Sequence, residues 1–267
     1  MLNAESAAPV YQHASEIRGR NIFAEVREAF WKQEPQVAAV LSQISSSRIF
    51  VVPLFMSEGY FSEEIIPREL GFRRPGEESW SRKLWRGERA LFYCKPIGTH
   101  ERMSEVVLSR AREIVGTDCG GPAARLAETT LLIAGHGTEK NENSRASIER
   151  QVSLMREKHL YAAVDAIFLE EEPRIESWNE FARTQQVVIV PFFISDGLHT
   201  QEDIPMLLGM PEEVVRQRLK NGEPVWQNPT EINGKTVWYT PSIGTAREVS
   251  EIILERVREA ERGSPFF

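Results

Sequence analysis

The sequence predicts an α/β protein of two similar lobes, each a parallel four-stranded sheet flanked by helices, with a cleft between the lobes. Three observations lead there. Apolar runs ended by glycine or proline alternate with segments of helical period, which is the pattern of a parallel sheet covered on both faces. That pattern occurs twice along the chain. The 267 residues suffice for two lobes with a core each.

The second copy shows the order of elements most clearly. TTLLIAGHG (129–137) reads as a buried strand closed by a glycine loop. SRASIERQVSLMREKHL (144–160) is helical by period, and AAVDAIFLEEEP (162–173) is a strand stopped by proline. RIESWNEFAR (174–183) is a helix and QVVIVPFFIS (186–195) a third strand. DIPMLLG (203–209) starts a short helix with Pro205 in its first turn. KTVWYTPSIG (235–244) is the fourth strand, and AREVSEIILERVREAERG (246–263) the closing helix.

The first copy is recognised by an offset. VVPLFMSEGYFSEEIIPRELG (51–71) and IVPFFISDGLHTQEDIPMLLG (189–209) share one design at an offset of 138, with 17 identities over residues 9–71. PIGTHERMSE (96–105) then matches PSIGTAREVSE (241–251), after a longer insert in the second copy. Gly120, Gly121 and Pro122 punctuate the linker, so the lobes are expected at 1–118 and 128–267. The offset carries His136 to a position before Met1. The first lobe therefore lacks its first strand and enters in the helix PVYQHASEIRGR. Removing a central strand strands backbone groups on its neighbours, each at a cost of about 1–3 kcal/mol if buried unpaired. The natural chain is accordingly expected to extend upstream of Met1 by about 10–20 residues, as an apolar strand and a glycine-containing loop.

Composition narrows the partners. A formal charge of −7 argues against nucleic acid and anionic membranes. No apolar run reaches membrane-spanning length, and the N-terminus has no signal-peptide pattern, so a cytoplasmic protein is expected. Cys94 and Cys119 lack any metal-site or disulfide spacing.

In an open parallel sheet, ligands meet the carboxyl ends of the strands. There the second copy places His136, then Glu170, Glu171 and Glu172, then Asp196 and His199. Two imidazoles and a carboxylate on one sheet edge suit a first-row divalent metal. Other residues read as structural. Glu202 recurs as Glu64 and is read as a helix-start cap. His13, His100 and His159 are placed at the surface. Trp31, Trp178 and Trp226 are placed in packing, and FRRPGEESWSRKLWRGER (72–89) is taken as a solvated loop.

The combination LLIAGHGT, FLE with a proline shortly after, VPFFISDGLHTQEDIP and PSIG resembles the CbiX family of class II chelatases. The resemblance spans essentially the whole chain as two copies. It implies ATP-independent insertion of a divalent metal (cobalt, iron or nickel) into sirohydrochlorin or a related anionic tetrapyrrole. The metal is then a substrate, and no organic cofactor is expected. It further implies that His136, His199 and Glu170 are the metal ligands and catalytic residues, in a monomer with pseudo-twofold lobes or a homodimer. The first copy departs from the pattern, with Phe61 at the position of His199 and Lys32 at that of Glu170. Its lobe is expected to hold the tetrapyrrole and not the metal. The alternative is a metal or tetrapyrrole carrier on the same fold. A hydrolase is disfavoured because no GxSxG elbow is present.

Overall fold

A computed structural model describes residues 4–116, 126–138 and 142–263. Gly120, Gly121, Pro122 and Cys119 of the expected linker lie outside the described residues. The chain forms two compact units that interleave in sequence. The N-unit comprises residues 8–100 and 247–267, and the C-unit residues 1–7 and 101–246. The closing helix of each copy is thus grouped with the other copy's sheet, so the repeat boundary is not the boundary of the compact units.

The N-unit contains most of α1 (Ala4–Gly19), then α2 (Val37–Gln43), β1 (Arg48–Val51), α3 (Ile66–Glu69), β2 (Lys83–Arg86) and β3 (Arg89–Tyr93), closed by α9 (Val249–Arg262). Its sheet has three strands in the order β1-β3-β2, with β1 parallel and β2 antiparallel to β3. Leu41, Ile49, Leu70, Phe72, Leu91 and Tyr93 form its core.

The C-unit contains α4 (Met103–Gly116), β4 (Thr129–Gly135), α5 (Glu142–Arg156), β5 (Ala163–Phe168), α6 (Trp178–Phe181), β6 (Gln186–Pro191), α7 (Ile204–Leu207), α8 (Glu212–Asn221), β7 (Thr230–Ile232) and β8 (Lys235–Tyr239). The sheet order is β5-β4-β6-β8-β7. The first four are parallel, and β7 adds antiparallel to β8. Every residue of β4 is buried, as a central parallel strand requires. α5 packs on β4 and β5, and α4 on β6 and β8.

The α/β class therefore stands, but the four-stranded parallel sheet needs correction in both copies. In the C-unit the extra strand comes from a hairpin turning at Asn233–Gly234, both at positive φ, the geometry that tight two-residue hairpins favour. The insert also carries α8, ended by Gly222 at φ 68°. Among the described residues of the N-unit, the β4 position is not the only one without a strand. Residues 25–30, the counterpart of β5, form no strand. β5 pairs only with β4, and no described strand occupies the β4 position in the N-unit, so residues 25–30 have no ladder to join. What survives there is the strand's end. An isolated bridge joins Phe30 to Gln36, as Phe168 joins Arg174 in the C-unit.

Three further expectations are corrected. The segment 72–89 is no solvated loop, because it supplies β2 and places Trp80 between Phe72 and Tyr93. His13 and His100 are buried. His100 lies 3.3 and 3.4 Å from the Glu255 and Glu259 carboxylates of α9. Trp178 and Trp226 are core residues, but Trp31 is half-exposed. Glu202 stands, as expected, in the first turn of the helical segment that starts at His199, and lies 3.8 Å from Arg216 of α8. No described helix is long and apolar enough to cross a membrane.

Candidate metal centre

The three predicted residues all belong to the C-unit, at the carboxyl ends of its three adjacent strands β5, β4 and β6. His136 follows β4 directly. The backbone there is held by its neighbours, since the His136 carbonyl accepts N–H bonds from Leu169 and Glu170 at 3.1 and 3.0 Å. The flanking glycines are needed sterically. A Cβ on Gly135 would lie 2.1 Å from Ile148 Cδ1, and one on Gly137 2.7 Å from Glu171 Cγ and Oε1. Gly137 is also at φ +67°, which side chains rarely adopt.

The three glutamates after β5 separate by role. Glu171 is largely buried and its Oε1 accepts the Thr138 N–H at 3.1 Å, tying the glycine loop to the end of β5. Glu172 is exposed, and accepts the Arg174 N–H at 3.2 Å. Glu170 alone faces an imidazole, with Oε2 3.8 Å from His136 Nδ1.

His199 stands 63 residues after His136 (199 − 136), at the start of a single π-helical turn, His199–Asp203. Such turns are rare and recur at functional sites. The loop before it is clamped from the β8 side. Asp196 Oδ1 accepts the Ser242 N–H at 2.7 Å, and Ser242 Oγ donates to the Ser195 carbonyl at 3.0 Å. The buried Tyr239 hydroxyl donates to the Thr200 carbonyl at 2.7 Å, and burial drives its pKa well above the usual phenol value. Gly244 lets two backbones touch, because a Cβ there would sit 2.2 Å from the Ile194 carbonyl oxygen. The PSIG motif is thus the brace of the loop that carries His199, and Asp196 belongs to that brace.

His136 and His199 come together with ring centroids 5.2 Å apart and planes perpendicular, beside Phe193. Each ring is anchored through Nδ1. His136 Nδ1 lies 2.8 Å from the Gly137 carbonyl oxygen. A carbonyl only accepts, so Nδ1 carries the hydrogen and Nε2 keeps its lone pair. His199 Nδ1 lies 2.6 Å from Asp203 Oδ2, and the carboxylate fixes the same tautomer there. Asp203 was missed from sequence, although HTQED places it four residues after His199 on one helix face. Among the described residues, no three His, Cys, Asp or Glu side chains are drawn tightly around one point. Glu170 sits on the Nδ1 side of His136, and its exposed side chain has to swing to reach the Nε2 side.

The counterpart positions in the N-unit hold no such donors. Phe61 begins the matching π-helical turn, Phe61–Ile65, and its ring lies 4.9 Å from that of Trp31. Lys32 Nζ lies 5.5 Å from the Phe61 centroid.

Comparison with known proteins identifies the family and the fold. The CbiX family model matches residues 2–114 and 130–260. The probable sirohydrochlorin cobaltochelatase of Halobacterium salinarum is 38% identical over 274 residues, covering 99% of this chain and 89% of the relative. A multi-domain protein of Deinococcus radiodurans with structural similarity to chelatases superposes with a TM-score of 0.74 at 26% identity, covering 95% of this chain but only 51% of that one. SirB from Bacillus subtilis, solved with Fe3+, gives a TM-score of 0.68 at 20% identity and covers 99% of this chain and 94% of its own, a likeness of fold.

Proposed function

This chain belongs to the CbiX family, and from that premise we propose that it inserts a divalent metal into sirohydrochlorin without ATP. Among cobalt, iron and nickel, cobalt is put first on the name of the Halobacterium relative. The observation that carries the reading is the pair His136 and His199, each held through Nδ1 with Nε2 presented. Two neutral imidazoles suit cobalt, nickel or iron in the +2 state, and an incomplete protein set leaves positions for incoming pyrrole nitrogens.

Insertion exchanges one M2+ for two pyrrole protons, so charge balances only if both protons leave the ring. Glu170 is exposed and beside His136. It serves as the third, exchangeable donor to the metal and, once displaced by the macrocycle, as an acceptor for one pyrrole proton; the Nε2 of a histidine released as the metal passes to the ring accepts the other. Asp203 does not touch substrate; it positions His199.

The test is anaerobic incubation of the purified chain with sirohydrochlorin and Co2+, following the absorption change on insertion. His136→Ala and His199→Ala should each lower the rate by orders of magnitude while leaving thermal stability near that of the unaltered protein, because both side chains lie at the sheet edge and not in the core. Binding of sirohydrochlorin and Co2+ without turnover would instead mark a carrier. Near-normal turnover in either variant would remove that histidine from the site.

A further inference from the structure

The N-unit keeps the scaffold of the metal site after losing its ligands. Tyr93 repeats the role of Tyr239, donating its buried hydroxyl to the Ser62 carbonyl at 2.7 Å. Gly98 repeats that of Gly244, with a Cβ there falling 2.2 Å from the Met56 carbonyl oxygen. The π-helical turn is retained. The loop that presents His199 in one unit therefore presents Tyr60 and Phe61 in the other, at 56% and 38% exposure. Exposed aromatic rings on a braced loop call for an explanation, since a folded protein gains nothing by holding them in water.

Their surroundings define a shape and a charge. Phe61 is flanked by Trp31 at 4.9 Å and Tyr60 at 5.6 Å. Lys32 Nζ stands 5.0 Å from the Trp31 ring centroid and 5.5 Å from that of Phe61. Among the described residues, Lys32 has these ring contacts and no carboxylate within ion-pair distance. The Glu69 carboxylate accepts the Trp31 indole N–H at 2.8 Å. The two positions that carry His and Glu in the C-unit thus carry a ring and a cation here. Neither can donate to M2+, and the ammonium repels it.

We propose that Trp31, Lys32, Tyr60 and Phe61 form a platform that binds the metal-free tetrapyrrole, the rings stacking on the conjugated macrocycle and Lys32 pairing with one of its peripheral carboxylates. The proposal rests on the function proposed above and assigns its organic substrate to a named surface. Conjugated rings stack on aromatic side chains whatever their substituents, whereas the lysine selects for an acidic ring edge. The division of labour that follows is one unit for the metal and one for the macrocycle.

The experiment separates the two substrates. The whole chain is titrated with metal-free sirohydrochlorin, read by its absorption band and by quenching of tryptophan fluorescence. In parallel it is titrated with Co2+ alone, read by visible absorption. Phe61→Ala and Lys32→Glu should each weaken tetrapyrrole binding by on the order of tenfold and leave the Co2+ isotherm in place. Lys32→Arg should retain binding. His136→Ala should do the reverse, losing Co2+ and keeping the tetrapyrrole. Both platform side chains are exposed, and a thermal melt of each variant confirms folding. Unchanged tetrapyrrole affinity in folded Phe61→Ala and Lys32→Glu overturns the platform while leaving the chelatase reading standing. No tetrapyrrole binding by the unaltered chain overturns both.

Discussion

Replacing Asp203 with alanine removes the carboxylate oxygen that lies 2.6 Å from His199 Nδ1. The ring then turns freely, and its hydrogen can sit on either nitrogen, so only part of the population presents Nε2. Loss of such an outer carboxylate typically costs 10–100-fold in metal affinity, or roughly 1.4–2.7 kcal/mol. His199 and Asp203 are 48% and 36% exposed. Water competes for the freed Nδ1–H there, which places the expected loss near the lower bound, about tenfold. Asp203→Asn keeps an oxygen that accepts the same hydrogen bond and loses only charge, so it should cost a few-fold. Co2+ titration under anaerobic conditions measures both. The melting temperature should move little, because the bond is a half-exposed ion pair, worth about 0–1 kcal/mol. An unchanged Co2+ isotherm in Asp203→Ala would show that His199 does not bind metal through Nε2. An equal loss in the two variants would show that charge matters and ring orientation does not.

Three other substitutions test the loops after β4 and β5. Glu170→Gln should slow insertion at least about tenfold, in the range expected for a lost general base, and leave urea unfolding unchanged, whereas Glu171→Ala, which removes the acceptor of the Thr138 N–H bond, should lower stability by about 1–3 kcal/mol, with the smaller kinetic effect; a reversed pattern in insertion rate and urea midpoint would exchange their roles. Gly137→Ala should destabilise by at least about 1–3 kcal/mol, since it combines φ +67° with a Cβ 2.7 Å from Glu171, and a urea midpoint equal to that of the unaltered chain would contradict the backbone geometry.

Much of this was legible in the sequence because the two strongest signals are physical periodicities. β4, β5, β6 and β8 are apolar runs bounded by glycine or proline, and α5 and α9 repeat at helical period. The carboxyl ends of parallel strands share one edge, where ligands gather, so His136, Glu170 and His199 could be placed together. Other features had a signal that went unread. Asn233–Gly234 marks a hairpin, matched in the first copy by the β2–β3 pair, and EEVVRQRLKNG marks an amphipathic helix with its glycine stop in an insert with no counterpart there. His13 and His100 read as surface residues because polarity is a poor guide once a side chain is covered by another element; His100 is covered by α9, some 150 residues away in sequence.

The fate of residues 25–30 shows where reading of a repeat by sequence alone stops. Val26 and Phe30 match Val164 and Phe168 at the common offset, so local pattern assigns the same strand to both copies. A strand, however, is a relation between two segments, and its propensity expresses a fit to neighbours more than a backbone preference. β5 has one neighbour, β4, and the N-unit offers none among its described residues. The chain there adopts no ladder, while the turn after it keeps its shape through the Phe30–Gln36 bridge and the carbonyl of Pro35, which accepts the Phe30 N–H at 2.9 Å. That turn is what carries Trp31 and Lys32. The strand is dispensable to the presentation of those side chains because the bridge, closed within seven residues (30–36), fixes the turn locally. The same argument explains why the degenerate unit retains the Tyr93 and Gly98 brace: loop geometry depends on contacts that the missing strands do not make, so the surface at Phe61 persists where the sheet beneath it is incomplete.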